Sequence, residues 1–445
     1  DFFCMDWHQL LNKARLGGRS AKDESGRTAF LRDHDKIIFS GAFRRLARKT
    51  QVHPLATNDH VHNRLTHSLE VSCVGRTLGI RVGERLQQRQ LLPDTVSATD
   101  FGDIVQSACL GHDIGNPPFG HTGERAIRAW FQERGQRFLD MLPAHQQSDL
   151  TFFEGNAQGF RIITKSEYHQ YDGGMRLTYA TLATFLKYPW LSADAGAASS
   201  KPGKYSAFVS EADAFREVAA ATGLREISPG RFCRHPLAYL MEAADDICYA
   251  ILDLEDAIEL NILSFEQIKP ILLEMCGDLA FDAEIFNTEA SARRKISALR
   301  GKAMENMIDS SVDAFIHHYP QIMAGEYTGE LVSDGDPGVG SGIHKAKTLA
   351  RERVFPDTRK TELEVGAYRT LGALLDAFCH AVYDNHQKKG ESLSYETEKI
   401  LSLMGIHAPA HDKPLYHSYM RALDFIGGMT DNYASYLARQ IGGLA

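Results

Sequence analysis

Apolar residues recur every three to four positions along most of this chain, while runs of alternating β-branched residues are scarce, a pattern that predicts an all-α fold. Leu65, Leu69, Val74, Leu78 and Val82 share one helical stripe; so do Leu237, Leu240, Met241, Ala244, Ile247, Ile251 and Leu254, and later Val365, Tyr368, Leu371, Leu375, Phe378 and Val382. Ser264 with Gln267 three residues on reads as a capping box that opens another helix. Two stretches rich in small and turn-forming residues, 192–204 and 333–342, interrupt the periodicity and are predicted as surface loops. The second divides a main body, residues 1–330, from a C-terminal helical region, residues 331–445. Its glycines at 338, 340 and 342 lack the Gly-Lys-Ser/Thr continuation of a phosphate-binding loop. No internal repeat or long low-complexity tract is present.

Composition narrows the class. With 445 residues, 43% apolar and 24% charged, the chain has the balance of a folded globular protein with a large core. A formal net charge of −8 disfavours protein-wide attraction for nucleic acid, so a polyanionic partner needs a local basic pocket. The seven cysteines include no CxxC pair, which points to a reducing, cytoplasmic setting without a cysteine-based zinc site. No apolar run approaches the roughly 20 residues of a membrane span, and the first residues, which begin at Asp1 rather than Met, carry no signal-peptide pattern.

The chemistry concentrates in three places. His112-Asp113 falls where an apolar helical pattern ends, just before Gly115-Asn116-Pro117-Pro118, so both side chains belong at a rim. His67 is expected on the polar side of an amphipathic helix, able to point toward ligands from another helix. Asp245 sits inside an otherwise apolar helix, where an unpaired carboxylate is costly and a cation removes that cost. Tyr249 and Asp253 follow it at intervals of four and extend the stripe. Imidazole and carboxylate together suit borderline and hard divalent ions. The competing reading makes Asp245, Asp246, Asp253, Glu255 and Asp256 a solvated acidic face; read alone, His121 is also well placed to cap a helix starting near Thr122.

The ordered set His67, His112-Asp113 and Asp245 resembles the signature of the HD-domain metal-dependent phosphohydrolases. Its surroundings resemble the deoxyguanosine triphosphate triphosphohydrolase branch, most specifically in the run from His112 to His121, in Asn63 to Glu70, in Phe153 to Gly159, in Met241 to Tyr249 and in Gly428 to Asp431. The resemblance implies an all-helical HD-domain bundle with an additional C-terminal helical region. It implies that His67, His112, Asp113 and Asp245 hold a divalent metal ion, Mn2+ or Mg2+, with Fe, Co, Ni and Zn as further candidates. His121 and Glu124 are implied as catalytic, Glu124 holding the imidazole so that it gives a proton to a leaving 5′ oxygen. Gln51, Arg64, Asn156, Lys187, Tyr249 and Asp253 are implied as substrate contacts, Tyr249 against the deoxyribose and Asp253 at its 3′ hydroxyl, with Lys201 and Lys204 reaching the triphosphate from a loop.

The implied reaction splits dGTP, and other dNTPs, into deoxynucleoside and inorganic triphosphate by attack of metal-activated water on the α-phosphorus. The resemblance also implies a homo-oligomer, with a hexamer as the candidate form, and single-stranded DNA as a candidate effector. The rivals are an HD phosphohydrolase acting on a different nucleotide and a single-stranded nucleic-acid-binding regulator with little catalysis. The absence of a Gly-Tyr-Pro motif and of a Glu-Asp pair shortly after His112-Asp113 disfavours two such phosphohydrolases, and an intact His121 with Glu124 favours an enzyme.

Overall fold

The computed structural model describes residues 4–20, 24–51, 60–167, 174–194, 203–278, 284, 286, 291–354, 356, 358–389 and 391–443. Among these, the regular elements are helices, apart from one two-stranded antiparallel hairpin, Glu226–Ser228 with Arg231–Phe232. The all-α expectation holds. No helix among the described residues is long and apolar enough to cross a membrane.

Two helices form the centre of the molecule. Arg64–Gln88 opens on a capping box between Asn63 and Thr66, and Ala98–Gly111 opens on one between Ser97 and Asp100. They pack along glycines: a Cβ on Gly79 would stand 2.7 Å from the Phe101 carbonyl oxygen, one on Gly83 2.7 Å from the Ala98 Cα, and one on Gly75 2.4 Å from Cys109 Sγ. Only hydrogen at these positions permits so close a backbone approach. Val71, Val74, Leu78, Val82 and Leu86 are buried beside the stripe. Leu69, expected among them, is 38% exposed, and His67, expected on the polar side, is 1% exposed. The buried arc is thus rotated toward the histidine, which faces a third helix packed on both, Pro236–Glu259.

The buried apolar residues fall into two clusters. The larger joins the central helices to Phe265–Cys276, Ala292–His317 and Pro337–Leu349. The smaller joins aromatic residues between Phe119 and Phe208 to the C-terminal helices Thr358–Lys388, Leu415–Gly427 and Asp431–Ile441. The predicted capping box at Ser264 and Gln267 is present. The loop expected over 333–342 is overturned in its second half, because Pro337–Leu349 is a helix. Asp336 accepts from the Val339 N–H at 3.0 Å and Pro337 occupies the first turn, so the Asp-Pro pair acts as a helix start rather than a break. Gly342 then lies where a Cβ would meet Met275 Cγ at 2.7 Å, so this glycine serves helix packing. Val365 and Tyr368 are 56% and 42% exposed; the buried stripe of their helix begins with Ala367 and Leu371. Most of the loop expected over 192–204 lies outside the described residues.

A histidine fixes the entry of the Arg64–Gln88 helix against the end of Pro236–Glu259. The His62 N–H donates to both Asp256 carboxylate oxygens at 3.2 Å, its ring Nδ1 lies 2.7 Å from Oδ1, and Nε2 lies 3.4 Å from Glu70. Burial opposes the charged ring, but these two carboxylates raise its pKa from 6.5 to about 10. A raised histidine pKa contributes stability that is complete below pH 6.5 and is lost as the pH climbs through 10. His62→Gln should therefore lower stability by about 3 kcal/mol under mildly acidic conditions, because Asp256 stays buried without its cation. The deficit should shrink toward pH 10. Denaturant unfolding of both proteins across that range measures it, and a pH-independent difference would contradict the charged pair.

Candidate metal centre and substrate pocket

Four side chains from three helices meet at one end of the central pair. His67 Nε2 lies 3.2 Å from Asp245 Oδ1, and His112 Nε2 lies 3.5 Å from the same oxygen and 3.6 Å from Asp113 Oδ1. Donor atoms of His67, His112 and Asp113 all lie within 4.8 Å of one another. His112 is the C-cap of Ala98–Gly111, and its Nδ1 is 2.6 Å from the carbonyl oxygen of Cys109. That bond takes up Nδ1 and leaves Nε2 as the lone-pair donor facing the carboxylates. Two imidazole nitrogens and two carboxylates converging in this way fit a divalent cation.

The electrostatics agree. Burial alone would raise the Asp113 pKa, yet Arg64, His112 and His67 bring it down to about 2. Asp245 is likewise driven down against burial by His112, His67 and Lys187, and His67 is driven up against burial by Asp245. Arg64 donates to Asp113 Oδ2 at 2.7 Å and the Asn116 amide donates to Oδ1 at 2.6 Å. Three further acids of the Pro236–Glu259 helix are engaged too: Asp246 with Lys347 at 3.3 Å, Glu255 with Arg300 at 3.1 Å and Asp256 with His62. A solvated acidic face is therefore not what these residues form.

The loop that follows His112-Asp113 is held by backbone contacts. A Cβ on Gly115 would lie 2.1 Å from both the Gly155 carbonyl oxygen and the Gly159 nitrogen, so the loop lies flat on the Gly155–Arg161 helix. Phe119 adopts a left-handed backbone, φ 63°, and its N–H donates to Asp431 Oδ1 at 2.8 Å. Asp431 Oδ2 accepts from the Thr50 N–H at 2.9 Å. The fully buried Lys49 ammonium donates to the carbonyls of Asn116 at 2.6 Å and Gly427 at 2.7 Å. The Gly120–Ala129 helix starts on Phe119, so His121 lies within its first turn and is not its N-cap. His121 Nδ1 is 3.0 Å from Glu124 Oε2, and Glu124 Oε1 accepts from the Gly155 N–H at 2.7 Å. Although burial opposes it, the bond to His121 helps hold the Glu124 carboxyl down at about 2, so Glu124 stays ionised.

These groups border a cavity of about 480 Å³. Of the expected residues, Gln51, Arg64, His112, Asp113, His121, Glu124, Asn156, Lys187, Lys204, Asp245 and Tyr249 line it. His67 and Asp253 sit in the wall behind, and Lys201 lies outside the described residues. Tyr249 hydrogen-bonds Asp253, whose pKa burial raises to about 7 and whose Oδ2 has no partner. Gln51 Oε1 is likewise buried without a partner. Lys187 stands 3.6 Å from Glu242 and 3.9 Å from Asp245, an electrostatic setting stronger than a helix end alone. Asn156 donates to Glu154 at 2.7 Å, and Lys204 reaches Glu154 at 3.0 Å and Glu124 at 3.9 Å.

Sequence reasoning missed Lys347, Lys360 and Glu364, which line the cavity from the C-terminal part of the chain. Glu364 accepts from Thr122 at 3.0 Å and lies 3.6 Å from Arg125, tying that part to the His121 helix. The i, i+4 pair Lys360 and Glu364 was the one local signal available. Because Asp431 satisfies two backbone donors at the pocket, Asp431→Ala should cost about 1–3 kcal/mol for each donor left buried and unpaired. It should also lower turnover while His67, His112, Asp113 and Asp245 remain in place. Thermal melts and steady-state kinetics on the same preparation check both; wild-type values in both would remove Asp431 from this role.

Comparison with known proteins places this geometry in context. Residues 64–216 match the HD domain family. Over 442 residues, 99% of each chain, the protein is 50% identical to a deoxyguanosinetriphosphate triphosphohydrolase-like protein of Pseudomonas aeruginosa. It is 40% identical to a Synechocystis protein of the same description, over 99% of this chain and 100% of the other. It is 32% identical to a deoxyguanosinetriphosphate triphosphohydrolase of Serratia proteamaculans, over 91% of this chain and 92% of the other. With an HD-domain match that holds His67, His112 and Asp113, and likeness running the length of both partners, the chain belongs to the deoxyguanosinetriphosphate triphosphohydrolase family of HD-domain phosphohydrolases.

Proposed function

We propose that the protein hydrolyses deoxynucleoside triphosphates at the α-phosphorus, with dGTP preferred, and releases deoxynucleoside and inorganic triphosphate. The observation that carries this reading is the His121–Glu124 pair bordering the same cavity as the His67, His112, Asp113 and Asp245 cluster. A divalent cation held by those four side chains, Mn2+ or Mg2+ being the first candidates, would supply Lewis-acid charge to the phosphate oxygens and acidify the attacking water. Lys187, Lys204, Lys347 and Lys360 bring positive charge around the triphosphate chain. In the reaction, a water oxygen bonds to phosphorus and gives up a proton to solvent, and the bond from phosphorus to the 5′ oxygen breaks. His121, held at Nδ1 by Glu124, gives the leaving oxygen its proton from Nε2. Tyr249, which lines the cavity, would pack where a 2′ hydroxyl projects, and Asp253 behind it, with Oδ2 unpartnered, is the acceptor we assign to the 3′ hydroxyl once the substrate is seated. Family likeness supports a homo-oligomer, in which these pockets repeat around the assembly.

The products decide the chemistry. Incubated with Mn2+ and each dNTP, the protein should yield triphosphate and deoxynucleoside; pyrophosphate or orthophosphate as the primary product would overturn the cleavage site. Asp245→Ala should abolish both metal uptake and turnover. His121→Asn should retain metal content while kcat falls by roughly 10²- to 10⁴-fold, the range of a lost general acid. Metal analysis of that variant separates a proton donor from a residue that merely supports the cluster.

A further inference from the structure

A second cavity, of about 280 Å³, opens between the Ile162–Ser166 π-helical continuation of the Gly155–Arg161 helix and the segment leading into Leu415–Gly427. Arg161, Lys165, Lys413, His417 and Arg421 line it, and among the described residues Asp424 is the one carboxylate in its lining. Arg161 is consumed by neighbours: it grips Asp424 through two bonds of 2.8 Å and donates to Glu211 at 2.7 Å. Lys165 lies 3.6 Å from that same Glu211, and Arg421 lies 3.7 Å from the already engaged Asp424 while also bonding the Ile406 carbonyl. Three cationic side chains thus share two carboxylates and Lys413 adds a fourth positive charge to the lining, leaving a local surplus in a protein whose net charge is −8. The imidazole of His417 registers that surplus, since burial together with Arg161, Lys165 and Arg421 holds its pKa below the usual value.

We infer that this cavity is an anion site for a short polyphosphate chain, separate from the candidate active site. Guanidinium and ammonium donors converging on a concave, partly desolvated surface are the chemistry that holds phosphate oxygens. The cavity is smaller than the roughly 480 Å³ of the first pocket, so the ligand that fits is the phosphate chain itself, free or as the tail of a nucleotide whose base projects outward. The site stands whether or not the reaction proposed above is correct. Its wall belongs to the helix whose first residue, Gly155, donates to Glu124, so it lies one short helix away from the His121 pair.

Calorimetric titration of the whole protein with inorganic triphosphate, with divalent metal withheld, tests the site. Lys165 and Lys413 are exposed, so a Lys165→Gln, Lys413→Gln double variant removes two positive charges without setting a carboxylate beside Glu211 and the buried Arg161 network. It should show one fewer triphosphate site than wild type, or at least a tenfold weaker one, with an unchanged melting temperature in the absence of triphosphate. An identical isotherm for the two proteins overturns the proposal. Should the variant melt early, single substitutions of Lys165 and Lys413 to Gln must each weaken binding, and unchanged binding in both overturns it equally. Repeating the titration with dGTP distinguishes the sources: equal affinity identifies the free chain, and tighter nucleotide binding lost in the same variant identifies the nucleotide tail.

Discussion

The site depends on how closely two helices approach. Gly75, Gly79 and Gly83 let Arg64–Gln88 rest on the backbone of Ala98–Gly111, and this contact sets the separation between His67 on one helix and His112 at the end of the other. A methyl group at Gly79 would meet peptide atoms, which cannot swing aside as a flexible side chain can. The third helix then places Asp245 against both imidazoles. Everything chemical in the pocket follows from that packing, because buried carboxylates are tolerated only where positive or polar partners meet them. Asp113 has Arg64 and Asn116, Glu124 has His121 and the Gly155 N–H, and Asp245 has two histidines and Lys187.

Asp253 is the instructive exception. Its neighbour Tyr249 offers one hydrogen bond and its second oxygen has none, so burial prevails and raises its pKa to about 7. Two acids eight positions apart on one helix are thereby pushed in opposite directions, Asp245 toward permanent charge and Asp253 toward neutrality near physiological pH. Different neighbours, rather than different chemistry, divide the labour between them.

Much of this was legible in the chain. Helical periodicity identified the fold class, and the unusual placement of His112-Asp113 and Asp245 in apolar surroundings pointed to a common cluster. Periodicity was less reliable about facing: Leu69, Val365 and Tyr368 fit the apolar stripe yet are exposed, since a helix tolerates single apolar residues at its surface. The helix Pro337–Leu349 was hidden because glycine signals a break locally, whereas Asp336 and close packing on Met275 decide otherwise. The i, i+4 pair of Lys360 and Glu364 marked a helix face but not a pocket, and Lys347 had no local mark; Lys347 and Glu364 meet the pocket through partners more than a hundred residues away. The Thr430-Asp431 motif was visible, but its role as an acceptor for the Thr50 and Phe119 backbone depends on tertiary structure.

That last contact bears on biosynthesis. Thr50 and Asp431 are 381 positions apart, so a growing polypeptide that has already produced all four residues of the histidine–aspartate cluster still lacks the acceptor that settles the Phe119 loop. Domains ordinarily begin to fold from the N-terminal side during synthesis. Here the early helices can pack first, while the pocket acquires its final shape only after the Asp431–Ile441 helix has been translated and docked. An enzyme built this way withholds its full competence from unfinished chains.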